Sequence, residues 1–141
     1  MAFVPTTSTE IRKWLLRFHA TNDSLDASRL GEIYTQDAKI QFGNMPIFNG
    51  LDELRNFFKG VWVKLEMMHH EIESFDMVGD KIYQPCHITW KVKNDPEKET
   101  ITVPACAIVC LETSGENKGL VKKAEYYMDS APLMAALQRS S

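Results

Sequence analysis

The sequence predicts an α+β domain in which a curved antiparallel sheet forms a cone and three N-terminal helices pack on one of its faces. Apolar residues recur at helical spacing over most of residues 11–61, and the spacing changes to two after residue 65. Turn sequences then divide the second half of the chain into strands. Because one short alternating segment, residues 38–42, lies among the helices, the helices have to fold back onto the sheet. We expect a pocket between these two layers.

Length and composition exclude several classes of function. The chain has 141 residues, a net charge of -3 and 44% hydrophobic residues, as expected for one domain with a sizeable core. No basic stretch stands out, which argues against a nucleic-acid partner. No apolar run approaches the roughly 20 residues that span a bilayer, and the N-terminus does not resemble a secretory signal. We therefore expect a single cytoplasmic domain, residues 1–141, with neither a nucleic-acid nor a membrane partner.

Three helices are predicted before residue 63. Residues 6–10 supply hydroxyl caps and an acid in the first turn of helix one. The apolar stripe of this helix consists of Ile11, Trp14, Leu15 and Phe18. Asp26 is placed to cap a short second helix. Residues 50–52 open a third helix, whose apolar face consists of Leu54, Phe57, Phe58 and Val61.

The strands are predicted from alternation and from the turns between them. They cover residues 38–42, 45–48, 65–78, 82–92, 100–111 and 120–128. Pro85 and Pro104 cannot donate to a strand ladder, so we expect a bulge or a local break at each. A short terminal helix is predicted to begin near Pro132, with Asp129 or Ser130 as its cap.

The sequence contains no motif for a cofactor or a metal ion. Cys86, Cys106 and Cys110 form no CxxC pair and lie in apolar strand segments, so we interpret them as buried small hydrophobic residues. No glycine-rich phosphate loop, nucleophile elbow or metal-spaced cluster occurs. We therefore expect no cofactor and no metal ion.

Four segments carry a resemblance to a known family. They are YTQDA at residues 34–38, FNGLDELRNFF at 48–58, HHEI at 69–72 followed by VGD at 78–80, and EYYMD at 125–129. In this order they resemble the nuclear-transport-factor-2-like superfamily and, within it, the SnoaL-like domains. The resemblance implies a cystatin-like α+β roll with a pocket in its cone. It implies less about activity, because the superfamily includes isomerases, dehydratases, epoxide hydrolases, polyketide cyclases and binding modules.

Two activities of the superfamily do not fit this chain. The steroid-isomerase pattern requires a carboxylate late in strand one, a tyrosine on helix one and an acid in the penultimate strand. Those places hold Phe42, Phe18 and residues 105–109, none of which supplies the required group. Epoxide hydrolases of the limonene type use an Asp-Arg-Asp cluster, and no Arg-x-Asp pair lies on a predicted strand. We therefore exclude steroid isomerisation and do not favour epoxide hydrolysis.

His70 is the strongest candidate for a catalytic residue. Strand parity directs Met68, His70 and Ile72 toward the cone, and a histidine among apolar residues can act as a general acid or base near neutral pH. A structural histidine satisfied by one buried partner is an equally open alternative. His69 takes the inward place if a bulge inverts the strand.

Tyr126 and Asp129 complete the predicted site. Tyr126 has the inward parity and could donate a hydrogen bond to a substrate carbonyl, or only line the wall. Asp129 lies where SnoaL-like chains commonly have an acid, although capping of the terminal helix is the simpler role. Asp37 is better explained as a turn former. His19 adjoins the stripe of helix one and could turn into the mouth of the cone, although a surface position is expected. The substrate-binding wall and the adjoining core are predicted to consist of Trp14, Phe18, Phe42, Trp62, Met68, Trp90 and Met128.

These observations favour a cofactor-independent enzyme that acts on a hydrophobic, polyketide-like or terpenoid-like small molecule by acid–base isomerisation, cyclisation or dehydration. His70 would move the proton, with Tyr126 and Asp129 orienting or polarising the substrate. The alternative is a non-catalytic ligand-binding or dimerisation module of the same fold. We also expect a homodimer through the outer sheet face, because residues 100–111 are apolar on both faces and His87 looks outward beside them.

Overall fold

The computed structural model describes residues 3–141, and its order of elements matches the predicted α+β class. The elements are α1 (Ser8–Asp23), a 3-10 helix (Ala27–Glu32), β1 (Tyr34–Phe42), β2 (Phe48–Asn49), α2 (Leu51–Trp62), β3 (Leu65–Ile72), β4 (Asp76–Val78), β5 (Lys81–Val92), β6 (Thr100–Leu111), β7 (Val121–Met128) and α3 (Ala131–Arg139). The second predicted helix is thus a 3-10 helix, and Asp26 caps it as expected by accepting a hydrogen bond from the Ser28 N–H.

The strands form one curved, unclosed sheet, which confirms the predicted cone. The strand order is β2-β1-β7-β6-β5-β3, and β4 also pairs with β5. Every pair is antiparallel except β1 with β7, which is parallel, so the sheet is mixed where the sequence predicted an antiparallel one. The reason is the path of the chain. After β2 it crosses through α2 to the far edge of the sheet and returns strand by strand, so β1 meets β7 without a hairpin between them.

The predicted cap is present at the N-terminus of α1. The Thr7 hydroxyl accepts a hydrogen bond from the Glu10 N–H at 3.2 Å, and the Glu10 carboxylate accepts one from the Thr7 N–H at 3.2 Å. This reciprocal pair satisfies two backbone donors that the first helical turn leaves free. Hydrogen bonds from Thr6 and Thr7 lower the pKa of the Glu10 carboxyl. The predicted apolar stripe is buried against the sheet, and the Trp14 Nε1–H donates to the Gly119 carbonyl at 2.9 Å.

The predicted strand at residues 65–78 is two strands, β3 and β4, separated by residues 73–75. Pro85 lies opposite this gap, where the Glu73 N–H donates to the Pro85 carbonyl at 3.1 Å. Pro104 lies one residue beyond the last pair of β6 with β7, Ala105 with Met128. Neither proline causes a bulge, because the β5–β6 register is continuous through both. The expected bulges are therefore absent, but a local break in the pairing does lie at each proline, because each missing N–H is at a place where the neighbouring strand on that side has ended.

The terminal helix α3 is tied to the turn between β5 and β6 by Arg139. Its Nε and Nη2 atoms donate to the two Asp95 oxygens at 2.7 and 2.9 Å, and Nη2 also donates to Glu99 at 2.7 Å. The Asp95 side chain is 1% exposed and accepts two further hydrogen bonds, from the N–H groups of Glu97 and Glu99. The hydrogen bonds from Arg139 hold the pKa of the Asp95 carboxyl far below its ordinary value. None of the helices described between residues 3 and 141 is long and apolar enough to cross a membrane.

We expect Arg139→Ala to destabilise the domain more than Arg29→Ala. Loss of the Arg139 guanidinium leaves the Asp95 carboxylate buried with only two backbone donors, whereas Arg29 forms an exposed pair with Glu32 whose loss costs little. The measurement is the urea midpoint of each variant at neutral pH. Equal midpoints in the two variants would contradict the role of Arg139.

Candidate functional site

His70 lies on the concave side of the sheet, on the same face of β3 as Met68 and Ile72. Its side chain is 14% exposed, whereas that of His69 is 65% exposed. The two neighbours therefore point to opposite sides of the strand, and β3 contains no bulge at this position that would exchange them. Of the two histidines, His70 is the one that faces the interior.

The carboxylate of Asp23, the last residue of α1, binds His70 at two points. One oxygen accepts from the His70 backbone N–H at 3.0 Å, and the other is 2.5 Å from the His70 Nδ1. Because a carboxylate only accepts, Nδ1 carries a proton, and in the neutral form of the ring the lone pair is on Nε2. Within residues 3–141, Nε2 has no hydrogen-bond partner and is not among the buried unpaired atoms. This geometry suits a general base whose far nitrogen is held by an acid.

The sequence analysis assigned no role to Asp23. One signal could have found it. An acid in the last turn of a helix lies at the negative end of the helix dipole, and the last turn of α1 contains no basic residue to offset it. A carboxylate in this unfavourable position indicates that a partner elsewhere in the fold binds it.

His19 is buried, with 4% exposure, so its expected surface position was wrong. The buried face of α1 is wider than the predicted stripe and continues through His19 and Asn22. The ring stacks on that of His70, with centroids 4.7 Å apart and planes 14° apart. Burial first, and then the charge of His70, lower the pKa of His19 to about 4. His19 is therefore uncharged at neutral pH.

Gln84 determines which nitrogen of His19 carries the proton. The Gln84 Nε2 donates to the Pro85 carbonyl at 2.8 Å, and a carbonyl can only accept. The amide oxygen of Gln84 therefore faces His19, 2.5 Å from its Nε2. It follows that Nε2 is protonated and Nδ1 is not. Among the described residues, His19 Nδ1 is buried and has no hydrogen-bond partner.

Tyr126 faces the concave side of β7, as its parity predicted, and its hydroxyl is hydrogen-bonded to that of Tyr34 on β1. Tyr34 is buried, and Tyr126 is the partner that the structure gives its hydroxyl. Either hydroxyl can be the donor in this bond, and when Tyr34 donates, the Tyr126 O–H is available for another acceptor. Burial raises the pKa of both phenols, so both are neutral. Sequence reasoning found Tyr126 but not its partner.

Two small residues lie on the concave face beside Tyr126. On β6, Ala107 pairs with Tyr126 on one side and with Gln84 on the other, and Ala105 pairs with Met128 and Cys86. Cys86 is buried, and burial raises the pKa of its thiol to about 11, so it is not a thiolate at neutral pH.

Asp129 lies outside this arrangement. Its carboxylate accepts a hydrogen bond from the Ala131 N–H at 3.0 Å, in the first turn of α3. The N-cap of α3 is Ser130, whose side chain makes no capping hydrogen bond, so Asp129 lies one residue before the cap and contacts the first turn from there. Asp37 lies within β1 and accepts a hydrogen bond from the Thr35 hydroxyl at 3.0 Å, so its assignment to a turn was wrong.

The predicted wall residues divide into two groups. Trp14, Phe18, Trp62 and Trp90 are at most 4% exposed and belong to the core. Met68 is 9% exposed, whereas Phe42 and Met128 are only partly buried. Phe42 also contacts four rings of the open end of the cone, those of Phe48, Phe57, Phe58 and Tyr126. Phe42 and Met128 are therefore the wall residues best placed to meet a ligand.

A separate groove of about 550 Å³ lies outside the sheet, beside the 3-10 helix and α2. Arg55, Lys59 and Trp62 are among its lining residues, and none of the candidate catalytic residues is. Over the part of the chain from Phe3 to the C-terminus, no group of three or more His, Cys, Asp or Glu side chains is arranged to hold a metal ion.

The amino-acid sequence and the fold are both similar to those of known proteins. The sequence model of the SnoaL-like domain matches residues 15–116, which is most of the chain. The chain belongs to the SnoaL-like domain family. The match includes Asp23, His19, His70 and Tyr34 but ends before Tyr126.

Individual relatives of this SnoaL-like domain are distant. The sordarin/hypoxysordarin biosynthesis cluster protein G of Sordaria araneosa is 27% identical over 119 residues, which cover 82% of this chain and 78% of that protein. A protein of Jannaschia sp. CCS1, provisionally named a SnoaL-like polyketide cyclase, has a similar structure, with a TM-score of 0.72, 16% identity and 88% of each chain covered. TsrD from Streptomyces laurentii gives a TM-score of 0.70 at 14% identity, covering 95% of this chain and 98% of its own. At these identities the two solved structures establish the fold alone.

We expect the stability of the domain to fall between about pH 6.5 and about pH 4, in part through His19. The folded-state pKa of His19 is lowered, so in this window the unfolded chain binds a proton that the folded chain does not. Stability is therefore lost as pH falls, and the loss is complete below the folded pKa. A group with this shift changes the free energy of unfolding by about 3 kcal/mol.

The measurement compares the free energy of unfolding of the wild type and of His19→Phe at neutral pH and near pH 4. The variant keeps a buried ring but removes the titrating group, and the carboxyl groups titrate alike in both proteins. The wild type should lose more stability than the variant. A difference between them that does not change with pH would contradict a buried, uncharged His19.

Proposed function

We propose that this SnoaL-like domain is a cofactor-independent acid–base enzyme that isomerises, cyclises or dehydrates a hydrophobic small molecule. The observation that carries the proposal is the Asp23–His70 pair. An acid holds one ring nitrogen at 2.5 Å, and the other nitrogen has no hydrogen-bond partner within residues 3–141 and is not fully buried. A structural histidine held by one partner needs no second, unpaired nitrogen outside the core, so this geometry favours catalysis over the purely structural role that the sequence left open.

The chemistry follows from the protonation states. In the proposed step, His70 Nε2 takes a proton from a carbon next to a substrate carbonyl, and the C–H electron pair moves toward the carbonyl oxygen. The carboxylate of Asp23 stabilises the imidazolium that forms. The Tyr126 O–H donates a hydrogen bond to the oxygen on which negative charge develops. The proton then returns to a different atom, or a hydroxyl group leaves with it as water.

Three further observations support a hydrophobic substrate. The open end of the cone is lined by the aromatic rings around Phe42, and Met128 is partly exposed beside them. The strand residues beside Tyr126 and Met128 on this face are the apolar Ala107 and Ala105. The relative from Sordaria araneosa is named for a biosynthesis cluster, and the similar Jannaschia protein is provisionally named a polyketide cyclase. A polyketide-like or terpenoid-like ketone fits these observations. In this proposal Asp129 has no catalytic step, and its contact is with the first turn of α3.

We also propose that the domain forms a homodimer through the convex face of the sheet. Tyr83 and Tyr127 are 38% and 43% exposed on this face. Ile108 of β6 pairs with Tyr83, and Cys106, two residues before Ile108 on the same face, pairs with Tyr127. Ile108 therefore lies between the two tyrosines. Exposed aromatic and apolar residues on one sheet face commonly mark an interface. Sedimentation equilibrium at micromolar concentration tests this proposal. A mass near 16.1 kDa at all concentrations would exclude the dimer.

We expect His70→Ala to lower turnover about 10²-fold or more, and Asp23→Asn to lower kcat with little change in KM. The first readout needs no knowledge of the natural substrate. It is the exchange of the α-hydrogens of a bicyclic aromatic ketone in heavy water, followed by mass spectrometry. A panel of polyketide and terpenoid ketones then distinguishes dehydration, which removes one water, from isomerisation and cyclisation, which leave the mass unchanged.

His87→Gln is the matched control, because His87 is 45% exposed and points away from the concave face. This variant should retain wild-type exchange. Unchanged exchange in a folded His70→Ala protein would remove His70 from the mechanism. Tight binding of the ketones without exchange or turnover in the wild type would favour the alternative, a ligand-binding module.

A further inference from the structure

Two residues of α1, one helical turn apart, contact the same ring on β3. His19 and Asp23 are four positions apart and therefore project from the same side of the helix. Asp23 meets the edge of the His70 ring at Nδ1, and His19 lies flat against its face. One contact restrains the ring within its plane, and the other restrains it across the plane.

His19 is itself held in one orientation. Its Nε2–H is bound to Gln84, and Gln84 is bound to the backbone of β5 at Pro85. A flip of the imidazole would break the bond to Gln84, so the face presented to His70 is constant. The buried Nδ1 of His19 has no partner in the described residues, which is a cost in stability that an apolar side chain in the same place would avoid.

We propose that His19 is a positioning residue which, together with Asp23, holds the His70 ring so that Nδ1 keeps its proton and Nε2 keeps its lone pair toward the substrate. This inference rests on the proposed function, in which Nε2 is the base. His19 does not touch the substrate and acts through His70.

The uncharged state of His19 suits this role. When His70 takes a proton from the substrate, its ring becomes positive, and a charged neighbour 4.7 Å away would oppose that step. Burial keeps His19 uncharged at neutral pH, because its pKa is lowered to about 4. A neutral aromatic face beside a developing cation is favourable. The other titratable groups near the pair are Asp23, which attracts the imidazolium, and the exposed ring of His69, 3.8 Å from Asp23.

The experiment compares three variants of the full chain. His19→Phe keeps a flat ring against His70 but removes the bond to Gln84. His19→Ala removes the ring. Leu15→Ala is the control, because it makes a cavity under the same face of α1 one turn earlier. The readouts are the tautomer of His70, from the nitrogen chemical shifts of its ring in solution, and the kcat and KM of ketone exchange.

In the wild type and in His19→Phe, His70 should be mainly the Nδ1–H tautomer. In His19→Ala the Nε2–H tautomer should become populated, and kcat should fall about tenfold or more with little change in KM. Leu15→Ala should resemble the wild type in both readouts. If His19→Ala does not fold, His19→Leu replaces it, because leucine fills much of the volume without a flat face.

Three results would overturn the inference: an unchanged tautomer and kcat in His19→Ala, the same changes in Leu15→Ala, or a His19→Phe protein that behaves like His19→Ala. The tautomer measurement needs no substrate, so it separates this inference from the proposed function. Loss of exchange in His70→Ala with an unchanged His70 tautomer in His19→Ala would reject the positioning role and leave the proposed function intact. A changed tautomer in His19→Ala with normal exchange in His70→Ala would reject the proposed function alone.

Discussion

The two hydrogen bonds between Asp23 and His70 connect the end of α1 to β3, and much of the concave side depends on them. β3 is an edge strand, so the N–H groups on its outer side have no neighbouring strand to bind. Asp23 accepts one of these N–H groups and, with its other oxygen, the ring of the same residue. The single carboxylate of Asp23 thus accepts the free N–H of His70 at the sheet edge, fixes where α1 crosses the sheet and orients the His70 ring. These three requirements are coupled, because moving the helix would change the geometry of all of them.

Much of the fold could be predicted because it depends on local patterns. The alternation of β5, β6 and β7 and the cap of α1 are visible in short segments, and their observed bounds lie within a residue of the predicted ones. The break at residues 73–75 and the fit of the two prolines depend on where neighbouring strands end. The parallel pairing of β1 with β7 depends on the whole path of the chain. Neither property is encoded in a window of ten residues.

The candidate site divides in the same way. Parity along a strand was sufficient to direct His70 and Tyr126 inward, because residues two apart share a face. The partners of these residues come from other elements: Asp23 and His19 from α1, and Tyr34 from β1. Their roles appear only when the helix has been placed on the sheet. The stripe of α1 also turned out wider than the four apolar residues that defined it, which is why His19 was assigned to the surface.

The parallel junction between β1 and β7 also affects the order in which the domain can fold. The Tyr34–Tyr126 hydrogen bond joins residues 92 positions apart, whereas the β5–β6 hairpin is joined by a short turn. Contacts between distant parts of a chain form late, because a large loop has to close before they contribute. A chain emerging from the ribosome can therefore pair β5 with β6 while β7 is still being made. The polar half of the site that contains Tyr126 is completed only after nearly the whole domain has been synthesised.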